Sequence, residues 1–213
     1  SNNLFKIGDW VEAPQFGADG DVIDIALHTI KIQNWDKTIS IIPTNKLVDS
    51  SFKNWKGMSE SGGRRIKRAI HIDLNSIKFC DKRMIEKFRK IDIISDYIND
   101  KFSEIESHNS SKKVEESDLN GRALTNIGTY RIYVQNYLRK NSNLHQDMTF
   151  LVRQLSPTKD GLPLEIYVFS KNTDWIQYES IQSDIFDHLI ASVGEFELTL
   201  FQNPTGNDFK GVK

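Results

Sequence analysis

One cysteine, Cys80, is all the thiol chemistry this chain of 213 residues contains. A lone thiol closes no internal disulfide, and with no secretory h-region or cleavage signal the expected compartment is reducing. Long apolar runs are missing too: none approaches the roughly 20 residues that a membrane-spanning helix needs. These residues alone therefore read as soluble. Basic excess is absent, since Lys plus Arg is 28 and Asp plus Glu is 29. That balance argues against a general nucleic-acid binder, although it leaves room for a local basic patch. The five histidines, His28, His71, His108, His145 and His188, stand singly, none in a Cys or His pair with zinc spacing. Gly17-Ala18-Asp19-Gly20 and Gly62-Gly63 lack both the P-loop lysine pattern and a dinucleotide fingerprint, so turns and a linker account for them. No sequence repeat at a fixed period is evident, which excludes a solenoid.

What is present begins with a dense set of strand signals between Phe5 and Trp55. Phe5–Ala13 reads as a strand ended by Pro14, and Ala18-Asp19-Gly20 as a turn. Asp21–Ile32 is β-branched and alternating, which suits one long bent strand or two in succession. Asn34–Lys37 is a turn, Thr38–Ile42 a strand stopped by Pro43, and Thr44–Leu47 a helical turn before Ser51–Trp55. So many short strands in so little chain predict a small five-stranded, Sm-like β-barrel over 1–58, because closure removes exposed edges.

Residues 59–63 read as a Gly/Ser linker, and 64–213 as a second domain. Arg64–Leu74 alternates as a half-buried strand, with Ile66, Ile70, Ile72 and Leu74 on one face and Arg65, Lys67, His71 and Asp73 on the other. Met84, Phe88, Ile91, Ile94, Ile98, Phe102 and Ile105 form one helical stripe, broken near Asp92–Ser95. Ser107–Asp118 is polar enough for a mobile loop. Ile127, Tyr130, Val134, Tyr137 and Leu138 mark another amphipathic helix, running to about Arg139. Met148–Leu155 and Leu162–Phe169 read as a hairpin around Pro157 and Asp160-Gly161. A helix capped by Thr173 or Asp174 and ended by Gly194 follows, and then a last strand at Phe196–Phe201. Strand, helix, strand, strand, helix, strand is the order of a ferredoxin-like α/β sandwich. The extra helical material, about 93–147, is expected to be an insertion.

Candidate chemistry is sparse. Asp184 and His188 lie four apart on a predicted helix, where both can touch one metal, but an ion pair or cap contact explains them equally. Cys80 precedes a helix with no histidine beside it in sequence, as expected for a half-buried structural thiol. Trp10, Trp35, Trp55 and Trp175 read as core or interface residues. The most pointed charged feature is Arg64-Arg65-Ile66-Lys67-Arg68. Arg64, Arg65, Lys67 and Arg68 are candidate interdomain or intersubunit contacts, with a solvated strand edge as the plainer explanation. No catalytic, cofactor-binding or metal residue is assigned, and no cofactor is expected.

Phe5–Val11, Gly20–Ile25, Ile42–Leu47 and Phe52–Trp55 resemble, in order and spacing, the post-membrane barrel of the MscS-type mechanosensitive channels. Ser59–Arg68, Leu124–Thr129, Arg153–Leu155, Gly161–Tyr167 and Tyr178–Leu189 resemble its YbdG-like branch, whose cytoplasmic domain carries an insertion. The resemblance implies a ring homo-oligomer, a heptamer, joined to the bacterial inner membrane through N-terminal helices absent from this chain, with this region on the cytoplasmic side. It implies a collar and chamber wall below a tension-gated pore for ion and solute efflux on hypo-osmotic shock, with no enzyme activity and no nucleic-acid partner. The start without Met, straight into a strand after Ser1-Asn2-Asn3, fits an excised fragment; a processed or tagged intact protein is the other reading. Thr44 stands where the wider family commonly has Asn. Two other readings stay open: a peptide- or RNA-binding module built on the small barrel, and an enzyme using Cys80 or the Asp184–His188 pair.

Overall fold

The computed structural model describes residues 3–210, so the reading of the chain start at Ser1-Asn2 lies outside the described residues. The chain divides into two compact units, Ser1–Arg64 and Arg65–Lys213.

The first unit is an antiparallel sheet of β1 (Trp10–Ala13), β2 (Ala18–Ile25), β3 (Thr29–Asn34), β4 (Ile39–Pro43) and β5 (Lys53–Asn54), in the order β4-β3-β2-β1-β5. Two short helices follow β4 and β5: α1 (Thr44–Val48) and α2 (Lys56–Ser61). The alternation of the sequence decides which side chains face inward: Val11, Ala13, Val22, Ile30, Ile32 and Ile42 are buried with Leu47 of α1. Five strands are present as expected, but among the described residues no ladder joins β4 to β5, so the sheet is not closed into a barrel.

Three local expectations change. Residues before Trp10 form a reverse turn, not a strand, held by Asp9 N–H donating to the Lys6 carbonyl at 3.0 Å. Ala18-Asp19-Gly20 is strand, because the turn is made earlier: Pro14–Phe16 forms a 3-10 turn and Gly17 takes the left-handed conformation that ends it. Gly20 then lies hard against β3, where a Cβ would stand 1.9 Å from the Gln33 carbonyl oxygen. The glycine serves a close backbone approach. The linker expected at 59–63 is partly helical, since α2 runs through Ser61 and ends at Gly62 with φ 72°.

The second unit holds β6 (Arg64–Ile72, opening at the boundary), α3 (Lys82–Arg89), α4 (Ser95–Asn109), α5 (Asn126–Arg139), β7 (Leu151–Gln154), β8 (Leu162–Ser170) and α6 (Trp175–Ser192). Its sheet runs β6-β8-β7. The break in the helical stripe falls at a 3-10 turn, Asp92–Ile94, and Met84, Phe88, Ile94 and Ile98 are all buried. Caps are local: Asp81, Thr125 and Asp174 accept from Met84, Gly128 and Gln177 N–H groups at 2.8, 3.1 and 3.1 Å. β7 and β8 pair antiparallel, Leu151 opposite Tyr167 and Arg153 opposite Glu165.

The last expected strand shrinks. Phe196 ends a 3-10 turn and Glu197 is left-handed at φ 55°, so only Leu200 bridges Ile72 beside β6. Bonds from Asp73 N–H to the Thr199 carbonyl and from Phe201 N–H to the His71 carbonyl still hold that segment at the sheet edge, giving the ferredoxin-like order. Leu74, expected to be inward, is 45% exposed because it opens a 3-10 turn where the strand has ended. The polar stretch from Ser107 is helical through Asn109, whose side-chain amide bonds both the N–H and the carbonyl of Arg122, at 2.9 and 2.8 Å.

Candidate functional site

β6 separates the basic run of the sequence by strand alternation. Ile66, Ile70 and Ile72 are buried on the face shared with Ile166, Val168, Ile185 and Phe186, while Arg65 and Lys67 point the other way and are exposed. Each arginine lies over a ring. Arg64, within the first unit, sits 5.4 Å from the Trp10 centroid, Arg65 lies 5.7 Å from Tyr167, and Arg68 lies 4.7 Å from Phe186. Phe186 belongs to α6, so Arg68 serves the helical side while Arg65 and Lys67 serve the open side of the sheet. The four candidate residues are thus not one patch. The Arg65 carbonyl also accepts from the Tyr178 hydroxyl, tying β6 to α6.

Three of the four tryptophans cluster in the first unit. Trp10 stacks on Trp55 at 4.5 Å and meets Trp35 edge-on at 5.3 Å. Asp19 accepts from the Trp10 and Trp35 indole N–H groups at 2.7 and 3.0 Å, and Glu12 accepts from that of Trp55 at 2.9 Å. Such satisfied indoles are braced structural residues, since each polar edge is already spoken for.

His188 lies in an aromatic set the sequence reading did not join together. The Tyr133 hydroxyl and His188 Nε2 are 2.6 Å apart, and the imidazole stacks on Tyr137 at 4.1 Å. Burial raises the Tyr133 and Tyr137 hydroxyls above the ordinary tyrosine range, with a further contribution from Asp184 at Tyr137. The signal was available: Tyr130, Tyr133 and Tyr137 recur at three and four on α5. Asp184 and His188 acquire no further ligand, and among the described residues no group of three or more His, Cys, Asp or Glu is placed to hold a metal ion.

Burial pushes the Cys80 thiol up to about 11, the opposite of an activated nucleophile. Nearby, Glu197 accepts from Lys78 Nζ at 2.7 Å and Arg83 at 2.5 Å, and these two cations hold its carboxyl below the usual range. Buried Glu165 is met by both Nε and Nη2 of Arg153, at 3.1 and 3.0 Å. An open groove of about 650 Å³, lined by Phe102, Ile105, Val114, Lys82 and Lys112 among others, lies between α4 and the turns after it. Its rim mixes both signs of charge, and no reacting pair converges there. In the second unit, Arg65 and Lys67 are exposed on one sheet face, and Glu179, Asp184 and Asp187 are exposed on α6.

The family profile described as mechanosensitive ion channel, beta-domain, matches residues 1–57, and the one described as mechanosensitive ion channel MscS, C-terminal, matches residues 133–199. Among solved structures, that of Arabidopsis thaliana MSL1 superposes with a TM-score of 0.59 at 14% identity, covering 94% of this chain and 54% of that one. The closed-state crystal structure of Helicobacter pylori MscS gives 0.55 at 14% identity, covering 95% and 58%. The chain therefore spans little more than half the length of the solved channels it matches, and at this identity their likeness shows the fold alone. Among the described residues no helix is long and apolar enough to cross a membrane. With one profile matching each unit and both describing the same channels, the chain belongs to the MscS-type mechanosensitive ion channel family.

Proposed function

We propose that these residues are the cytoplasmic part of a tension-gated channel of the bacterial inner membrane, related to the YbdG-like branch. In this reading the first unit is the collar below the pore, and the second is a wall of the chamber that ions and solutes cross on hypo-osmotic shock. The observation that carries it is the pair of channel profiles on residues 1–57 and 133–199. Several copies, seven by family resemblance, form a ring, and helices ahead of Phe5 connect it to the bilayer. Of the basic run, Arg65 and Lys67 act at contacts between subunits, and the helical segment of about 93–147 is an insertion that reshapes the chamber wall. Burial holds the Cys80 thiol neutral, unlike an activated nucleophile.

Patch recording from membranes containing the full-length protein tests this directly. Suction is expected to open a conductance that disappears when the gene is deleted. Patches indistinguishable from the deletion strain, or a native gene with no apolar span upstream of Phe5, would remove the proposal.

A further inference from the structure

In the second unit, the open sheet face and the side chains of α6 carry opposite charge. Its sheet face away from the helices carries Arg65 and Lys67 from β6 beside Tyr167 and Phe169 from β8, whose rings meet edge-on at 6.0 Å. Neither cation is in an ion pair among the described residues, whereas Arg153 on the same face is committed to Glu165. On the far side, α6 has no Lys or Arg in its 18 residues. It exposes Glu179, Asp184 and Asp187, none ion-paired among the described residues, along with Ile176 and Ile190 at 76% and 46% exposure. Glu179 receives only a 3.3 Å hydrogen bond from Gln182, and Asp184 lies near Tyr137.

We propose that the Arg65–Lys67–Tyr167 sheet face of one copy receives the acidic outer face of α6 from the next copy. The proposal rests on the assembly reading above and assigns the surfaces it uses. Like faces repel, because two cationic sheets or two acidic helices brought together leave charges of one sign opposed. Unlike faces attract, and since they lie on opposite sides of the unit the contact is heterologous, repeating head to tail as a ring requires. The exposed isoleucines of α6 add apolar area that Tyr167 and Phe169 can cover. Arg68 takes no part, because its guanidinium lies over Phe186 on the helical side.

The test mixes ordinary and nitrogen-15-labelled full chain and treats it with a carbodiimide, which joins a lysine to a carboxylate only in direct contact. Peptides linking Lys67 of one isotope to Glu179, Asp184 or Asp187 of the other are expected. In sedimentation velocity at low salt, Lys67→Glu is expected to weaken self-association by about fivefold, with Asp187→Lys restoring it in the double variant. Circular dichroism melts check that each variant folds. Mixed-isotope links at other residues, with association unmoved by both reversals, would overturn this contact and leave the assembly reading standing. A single-chain species at every concentration, with no mixed-isotope link, would overturn both.

Discussion

Gly20 shows how much one missing side chain decides. It sits in the middle of β2, where the sequence suggests a turn, and its backbone presses on Gln33 more closely than any Cβ permits. Gly20→Ala is therefore expected to cost about 2–4 kcal/mol, because the two strands must part or shift register. Urea unfolding followed by tryptophan fluorescence reads this well, since Trp10, Trp35 and Trp55 lie in the same unit. An unchanged midpoint would contradict the close approach. Cys80 makes a second test at this scale. The fold holds its neutral form, so the thiol contributes stability below its ordinary value of 9.0 and loses that contribution as pH rises towards about 11. Alkylation of the native chain at pH 8 is expected to run at least about tenfold slower than that of a small free thiol. A rate equal to the free thiol's would show that burial does not control it.

Elements in the second unit are joined by a few buried polar groups more than by their own propensities. Asn126, fully buried at the start of α5, accepts from the Lys78 N–H at 2.9 Å and donates to the Ser76 carbonyl at 2.9 Å. It fastens α5 to the segment leading into α3, and no apolar replacement reproduces both bonds. Asn126→Ala is expected to cost about 2–3 kcal/mol, chiefly from the donor and acceptor left buried and unpaired. Chemical denaturation of the purified variant measures it, and a loss below the scatter of surface substitutions would refute the bridging role. Helix ends were legible in part: Asp174, offered with Thr173 as a cap, does cap α6, whereas the caps that Asp81 and Thr125 make on α3 and α5 emerged only with the structure. The final strand was not, because Phe196–Phe201 alternates convincingly while the left-handed Glu197 uses up half of it.

Across the whole molecule, each unit buries its own apolar cluster, Val11 to Leu47 in one and Ile66 to Leu198 in the other. Separate cores lead to separate cooperative melting, since nothing in one cluster completes the other. Scanning calorimetry is expected to resolve two transitions, of which Gly20→Ala lowers only one. A single transition that moves as a whole would show that the units unfold together. The same division bears on the candidate surface. Arg65 and Lys67 belong to the second unit and Arg64 to the first, so a basic run that looks continuous in sequence serves two bodies and two faces.

Local rules were enough to set the five strands of the first unit, the cap at Asp174, the break at Asp92 and the channel-family motifs, because each depends on neighbours within a few residues along the chain. Which cations point together, why β2 runs through Gly20, how Tyr133 and His188 meet, and whether the small sheet closes on itself were settled only in three dimensions. Those features depend on partners 13 residues away at Gly20 and Gln33, or 55 at Tyr133 and His188. Separations like these carry no periodic signal, since backbone approach and side-chain pairing over such spans follow from packing and not from any pattern in the intervening residues.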